Sequence, residues 1–209
     1  MEQQRSSEWF AARLGKVTAS RVADVIAKTK TGYGASRENY MAQLICERLT
    51  GKPTEGFSNA AMEWGTQTEP QARAAYSAKT GELVEEVGFV CHPVIEQAGA
   101  SPDGIVGDGL FVGDGLIEIK CPNTATHLEY VLAGKPPEKY VTQMMWQMAV
   151  TGAPWCDFVS YDPRLPEHLQ MLIVRVPRDD NRIAELEAEV RKFLGELEDK
   201  LKQLEKVKL

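Results

Sequence analysis

No run of apolar residues in this 209-residue chain is long enough to cross a bilayer. The opening stretch, MEQQRSSEWF, lacks the apolar core that a secretory signal needs. Cysteine is scarce and scattered: Cys46, Cys91, Cys121 and Cys156 match no zinc or iron–sulfur spacing, and each sits in an apolar context. The four thiols are therefore expected to be reduced and mostly buried, which points to a cytoplasmic protein. There is no internal repeat and no low-complexity linker. An excess of positive charge is also missing. The formal net charge of −6 argues against a protein that coats nucleic acid, although it leaves room for a DNA enzyme whose basic residues line a channel. With 43% hydrophobic residues, the chain has material for the core of one globular domain.

What is present centres on residues 101–120, from SPDG to IEIK. Ile105 and Val106 read as one strand and Leu116, Ile117 and Ile119 as another, with a Gly-rich reversal from Gly107 to Gly115 between them. Residues two apart on a strand share a face, so Glu118 and Lys120 project together while Ile117 and Ile119 face the core. A hairpin through the Gly loop brings Asp103 alongside Glu118. Two carboxylates and an ammonium on one face suit a hard divalent cation with oxygen ligands. Such an ion polarises a phosphoryl oxygen and lowers the pKa of a bound water, while Lys120 orients that water or offsets developing charge. Glu-x-Lys alone is a common surface ion pair, and it is the Pro-Asp at this distance that favours a metal site. The arrangement resembles the PD-(D/E)xK nuclease superfamily.

Elsewhere the pattern is mainly helical. Ser7 is placed to cap a short helix carrying Trp9, Phe10 and Leu14 and ended by Gly15. Thr18 is placed to cap a second, with Val22, Val25 and Ile26 at helical spacing. Lys28 to Arg37 reads as an exposed basic loop, either a solvated turn or a phosphate contact. A third helix runs from Ser36 through Leu49 and stops at Gly51 and Pro53. Over residues 59–80, Gly65 and Pro70 argue against one continuous helix, and Pro70 fits best in a first turn, with Glu69 just at a helix start. Glu69 is then either an acid favoured by the helix dipole or a third carboxylate near a metal. Strands are expected in Leu83 to His92, Trp155 to Tyr161 and Leu169 to Val176, and helices over Thr124 to Leu132 and Pro136 to Thr151. In the latter, Tyr140, Met144, Met145 and Met148 read as core, whereas Gln143 and Gln147, one turn apart, are able to face the site. Asn181 to Leu209 repeats apolar residues every three or four positions, an amphipathic helix that packs on the domain or on another subunit. The expected organisation is a single nuclease domain over 1–209: N-terminal helices 7–80, a catalytic sheet with helices 81–177, and a C-terminal helix from about 180 to 208.

The succession RLGKVTASRV, MEWGTQTEP, SPDG, IEIKCP, YVTQ and SYDP, from Trp9 to Val176, resembles the phage-lambda-type alkaline exonucleases, which act 5′→3′ on double-stranded DNA. That resemblance implies a mixed α/β fold, with a restriction-endonuclease-like core, a central mixed sheet flanked by helices, and a long C-terminal helix. It implies that Asp103 and Glu118 bind Mg²⁺ (two ions, with Mn²⁺ as a substitute), with the backbone carbonyl of Ile119 as a further ligand. Glu69 contacts the second metal or its water, and Lys120 positions or helps to deprotonate the nucleophilic water. Arg13 and Ser20 match a pocket for a 5′-terminal phosphate, with Ser101 and Gln143 beside them. Lys30 falls at a basic DNA-contacting position, and Met62 at that of an apolar wedge for the duplex end. A homotrimeric ring threaded by DNA, a single-strand annealing partner, release of 5′-mononucleotides and a bacterial or phage origin are further implications. Two other readings remain open: a site- or structure-specific endonuclease of the same superfamily, and an inactive DNA-end clamp. The intact Asp103, Glu118 and Lys120 argue against the clamp.

Overall fold

The computed structural model describes residues 4–54, 59–107 and 114–207. Along the chain it forms α1 (Ser7–Arg13), β1 (Val17–Thr18), α2 (Val22–Ile26), β2 (Lys28–Thr29), β3 (Gly32–Tyr33), α3 (Ala35–Thr50) and α4 (Ala60–Thr80). There follow β4 (Val84–Glu85), β5 (Val90–Cys91), β6 (Ala98–Ala100), β7 (Gly104–Val106), β8 (Gly115–Lys120), α5 (Thr124–Ala133) and α6 (Glu138–Thr151). Finally come β9 (Trp155–Tyr161), β10 (Met171–Pro177) and α7 (Asp180–Leu204). The main sheet is mixed, in the order β10-β9-β8-β7-β4, and β8 and β9 are parallel across the α5–α6 crossover. A smaller sheet, β1-β6-β5, lies beside it. No helix among the described residues is long and apolar enough to cross a membrane.

The centre of the chain is the hairpin β7–β8, paired Gly104↔Ile117. Most of the expected reversal, residues 108–113, lies outside the described residues. Gly104 is required by packing, because a Cβ there would come 2.4 Å from Val84 Cγ1. Alternation along β8 does not separate a core face from a solvent face. Ile117 and Ile119 pack with Ala72 and Tyr76 of α4, whereas Glu118, on the opposite face, is fully buried against α6. Helices cover both faces of this central strand, so even its polar residue is enclosed.

Several local expectations are corrected. Residues 60–80 are one helix despite Gly65 and Pro70, which puts Glu69 in mid-helix and removes the N-terminal dipole reading. Pro70 and Thr66 lie on the exposed side, where water can take up the carbonyl left without its i→i−4 partner. The cap of α1 is Ser6 rather than Ser7, accepting from the Trp9 N–H at 3.2 Å. Thr18 belongs to β1 and its side chain makes no cap hydrogen bond. The segment expected as a loop from Lys28 to Arg37 is the β2–β3 hairpin followed by the start of α3. Arg37 is buried, donating to the Val25 carbonyl at 3.1 Å and pairing with Glu196 at 2.6 Å. The strand structure expected in 83–92 is confined to two short strands, β4 and β5, which pair with different strands, β7 and β6. Of the four thiols only Cys121 and Cys156 are buried, and Cys46 and Cys91 are exposed.

The long last helix places Ile183, Leu186, Val190, Phe193 and Leu197 in the core against α2, α3 and α6. From Ile183 to Leu197 its apolar stripe therefore covers its own chain rather than standing free for another subunit, while Leu204 near the helix end is exposed. Asp179 caps it through the N–H groups of Asn181 and Arg182.

Candidate active site

The pairing of β1 with β6, Val17↔Ala98 and Thr18↔Gly99, sets the α1–β1 segment beside the strand that leads into Ser101 and Asp103. Two residues of chain then separate β6 from Asp103, which accepts the Ile119 N–H on Oδ2 at 2.7 Å and donates its own N–H to the Ile117 carbonyl at 3.2 Å. The Asp103 carboxylate is thereby fixed across the end of β8. From α6, the amide of Gln143 donates to Glu118 Oε1 at 2.8 Å and that of Gln147 to Oε2 at 2.6 Å. Lys120 pairs with the same carboxylate. The result is a cavity of about 140 Å³ whose lining includes Arg13, Ser20, Ser101, Asp103, Glu118, Lys120 and Gln143.

The electrostatics follow from enclosure. Burial, then the neighbouring Glu118 charge, pushes the Asp103 carboxyl well above the usual carboxylate range, against the opposing pull of Lys120. Burial works against the charge on Lys120, but Glu118 and Asp103 outweigh it and hold the ammonium above its ordinary pKa. Burial lowers the pKa of Arg13. Burial, helped by Glu69 and Asp103, raises the Cys121 thiol to about 12, so this cysteine next to Lys120 has the character of an inert core residue.

These donors suit a hard divalent cation. Two carboxylates crowded enough for one to hinder the ionisation of the other, both lining a polar cavity, are the oxygen set such an ion takes. Among the described residues no three His, Cys, Asp or Glu side chains form a ligating cluster. Glu69 stands at the edge, with its oxygens taken by Arg5 at 2.9 Å and Arg73 at 2.8 Å.

The other residues named from sequence are spread around this cavity. Arg13 stacks on the Trp9 ring, 3.8 Å from its centroid, and Trp9 Nε1 donates to Ser101 Oγ at 2.9 Å. Ser101 is thus left with its own O–H to offer. Ser20 Oγ is 3.5 Å from Thr18 Oγ1. Met62, 55% exposed in the first turn of α4, lines an adjoining cleft of about 410 Å³ that shares Arg13, Thr18 and Ser20 with the first. Lys30 sits in the exposed turn of the β2–β3 hairpin and lines neither cavity. Sequence reasoning missed Trp9 as an organiser and Arg73 as a partner. Both were signalled by spacing, since Trp9–Arg13 and Glu69–Arg73 are i,i+4 pairs on helices. Arg5 and Gln4, which reach Glu69 and the Pro102 carbonyl across the fold, gave no such signal.

Because Glu118 has no contact with solvent, its donors carry stability. Gln147→Leu is expected to lower the unfolding free energy by about 1–3 kcal/mol, the cost of leaving a buried acceptor under-satisfied. Urea denaturation of wild type and variant measures it, and an unchanged midpoint would show that Gln143 and Lys120 suffice.

Known proteins place this arrangement. Residues 8–154 match the YqaJ-like viral recombinase domain. The crystal structure of LHK-Exo in complex with dAMP shares 59% identity and a TM-score of 0.87, covering 95% of this chain and 96% of that one. A second structure, of the alkaline exonuclease LHK-Exo from Laribacter hongkongensis, shares 58% identity over 96% of each chain, with a TM-score of 0.88. A phage-related exonuclease from Haemophilus somnus 129PT, at 15% identity, TM-score 0.70 and coverage of 90% of this chain and 96% of that one, shows the same fold. A comparison with curated proteins gave no match. With most of its length matched, the chain belongs to the YqaJ-like viral recombinase family, of lambda-exonuclease type, and is a nuclease.

Proposed function

We propose that this nuclease is a Mg²⁺-dependent 5′→3′ exonuclease on duplex DNA ends, releasing 5′-mononucleotides and leaving a 3′ single strand for annealing-type recombination. The observation that carries this reading is the sharing of one cavity by two chemistries, the Asp103–Glu118–Lys120 group and the donors Arg13, Ser20, Ser101 and Gln143. A mononucleotide product also agrees with the dAMP held by LHK-Exo.

In this reading Asp103, Glu118 and the Ile119 carbonyl hold the metal, with Glu69 toward a second ion or its water, and Mn²⁺ substitutes for Mg²⁺. The ion supplies Lewis-acid polarisation of the phosphoryl group and a bound water of lowered pKa. Gln143 and Gln147 fix the Glu118 carboxylate so that it need not reorganise during the reaction. Lys120, held charged by its neighbours, orients the attacking water and offsets negative charge as it develops on the phosphate. Arg13 gives a planar fork to the terminal phosphate, already aligned by stacking on Trp9. The Ser101 hydroxyl, whose oxygen accepts from Trp9, has its proton free for the same phosphate. Anchoring the 5′-phosphate sets the first phosphodiester bond over the carboxylates, which gives digestion its polarity. Met62 is the wedge at the duplex end, and Lys30 contacts DNA from its hairpin turn.

On family grounds the chain 1–209 is one nuclease domain of the bacterial or phage cytoplasm, assembles as a homotrimeric ring and works with a single-strand annealing protein. The part of the α7 stripe from Ile183 to Leu197 is buried in its own chain and lends no surface to that ring. The experiment compares 5′-labelled linear duplex with covalently closed circular DNA, with Mg²⁺ and with EDTA. Labelled mononucleotide should appear from the linear duplex in Mg²⁺ alone, and the circle should stay intact. Cleavage of the circle at a matching rate would make the protein an endonuclease instead.

A further inference from the structure

Arg73 has no part in the reading above, yet it touches three segments that meet at the site. It lies one helical turn after Glu69 on α4, and its side chain is only 13% exposed. Nη2 donates to Glu69 Oε1 at 2.8 Å, Nε donates to the backbone carbonyl of Asp103 at 3.3 Å, and Nη1 pairs with Glu86 beyond β4. An exposed ion pair at i,i+4 is worth little and fixes nothing. This guanidinium differs, because it is largely enclosed and one of its acceptors is a peptide carbonyl. A planar, rigid fork with donors on three nitrogens is able to hold acceptors from three segments in fixed relative positions, and an ammonium is not.

The two partners of Glu69 are unequal. Arg5, on Oε2, is 47% exposed and has water at hand to solvate it, so it can yield its place to another cation. Arg73, on Oε1, is tied at the same time to the Asp103 peptide. The Asp103 side chain in turn receives the Ile119 N–H. A shift of that peptide moves the carboxylate and the end of β8 together.

We infer that Arg73 is a positioning residue for hydrolysis, one that orients the Glu69 carboxylate and clamps the Asp103 peptide so that the two acids keep a fixed relation. This rests on the proposed role of Glu69. A residue beyond the immediate ligands that fixes one typically matters by 10–100-fold. Accordingly, Arg73→Ala should lower kcat on linear duplex by about 10–100-fold with KM for DNA changed by less than about threefold. Added guanidinium should restore part of the lost rate, since it refills the vacated space with the same donors. Arg73→Lys should remain impaired, because a single ammonium does not span the three acceptors. Glu86→Gln, which removes only the exposed arm of the network, should stay within about twofold of wild type. In the double variant Glu69→Gln/Arg73→Ala the loss should be smaller than the product of the two single losses, because one of the two tasks of Arg73 acts through Glu69.

Wild-type kcat for a folded Arg73→Ala, losses confined to KM, no response to guanidinium, or losses that multiply in the double variant would each overturn the inference. If circular dichroism shows that Arg73→Ala does not fold, Arg73→Lys carries the test, and wild-type kcat in that variant overturns it as well. The underlying reading fails separately. Undiminished turnover by Glu69→Gln would remove Glu69 from the reaction, whereas an impaired Glu69→Gln beside an intact Arg73→Ala would remove only the clamp.

Discussion

Asp103→Ala and Glu118→Gln should each lower Mg²⁺-dependent hydrolysis by on the order of 10³-fold, the equivalent of the several kcal/mol that a metal supplies to a phosphoryl transition state. The choice of variant matters at position 118. Glu118 is fully buried and takes the amides of Gln143 and Gln147 along with Lys120. Glu118→Ala would strand all three, and a loss of activity there could be a loss of folding. Glu118→Gln keeps the shape and removes the charge. At Asp103, which is less enclosed than Glu118, the truncation costs chiefly the Ile119 N–H contact at 2.7 Å. Lys120→Ala is expected to stop turnover as well, yet to keep more metal affinity, because an ammonium is not a ligand. Initial rates on linear duplex, with Mn²⁺ binding followed by calorimetry, separate the cases. Near-normal cleavage by either carboxylate variant would sink the metal assignment. A Lys120→Ala that loses as much Mn²⁺ affinity as Asp103→Ala would overturn the division of roles.

Where the sequence was legible, the signal lay in short local patterns of residues. The hairpin around SPDG and IEIK follows from β-branched residues flanking a Gly-rich turn, and the two helices and the strand Trp155–Tyr161 after it follow from helical spacing and then alternation. The faces of Gln143 and Gln147 were visible because four residues make one turn, and both amides do point at Glu118. What failed depended on the far side of the fold. Pro70 reads as a helix breaker until its neighbour Thr66 is known to be solvated. Glu118 reads as lying on a face away from the core until α6 is known to cover it. Arg37 reads as a loop cation, but Glu196 and the Tyr33 ring, 3.9 Å away, hold it in the interior. Trp9 reads only as an apolar residue of the first helix; its stacking under Arg13 is a local i,i+4 contact, but its hold on Ser101 appears only when β1 and β6 pair. For Pro70 the missing information was solvent exposure, and for Glu118, Arg37 and Ser101 it was a contact with a residue distant in sequence, which periodicity does not encode.

Duplexes carrying a 5′-phosphate should be digested much faster than matched 5′-hydroxyl duplexes, and Arg13→Ala should shrink that preference by about 10–100-fold. The size follows from one charge-assisted, bidentate contact, worth on the order of 1.5–3 kcal/mol. Three features of the site support the prediction. Arg13 lines the same cavity as the two carboxylates. Its guanidinium is already held flat by Trp9 at 3.8 Å, so little of its freedom remains to be lost when a phosphate arrives. Burial also lowers its pKa, a sign that the charge lacks full solvation and gains from an anionic partner. The alternative role, a helix-end cation at the last residue of α1, predicts something different. In that case Arg13→Ala would lower thermal stability slightly and leave the phosphate preference as it was. Initial rates on both duplexes, for wild type and Arg13→Ala, decide between them. Trp9→Phe adds a finer test, since it keeps an aromatic face for Arg13 and removes the indole N–H that holds Ser101. Its preference should fall between wild type and Arg13→Ala, and an undiminished preference in both variants would place the phosphate pocket elsewhere.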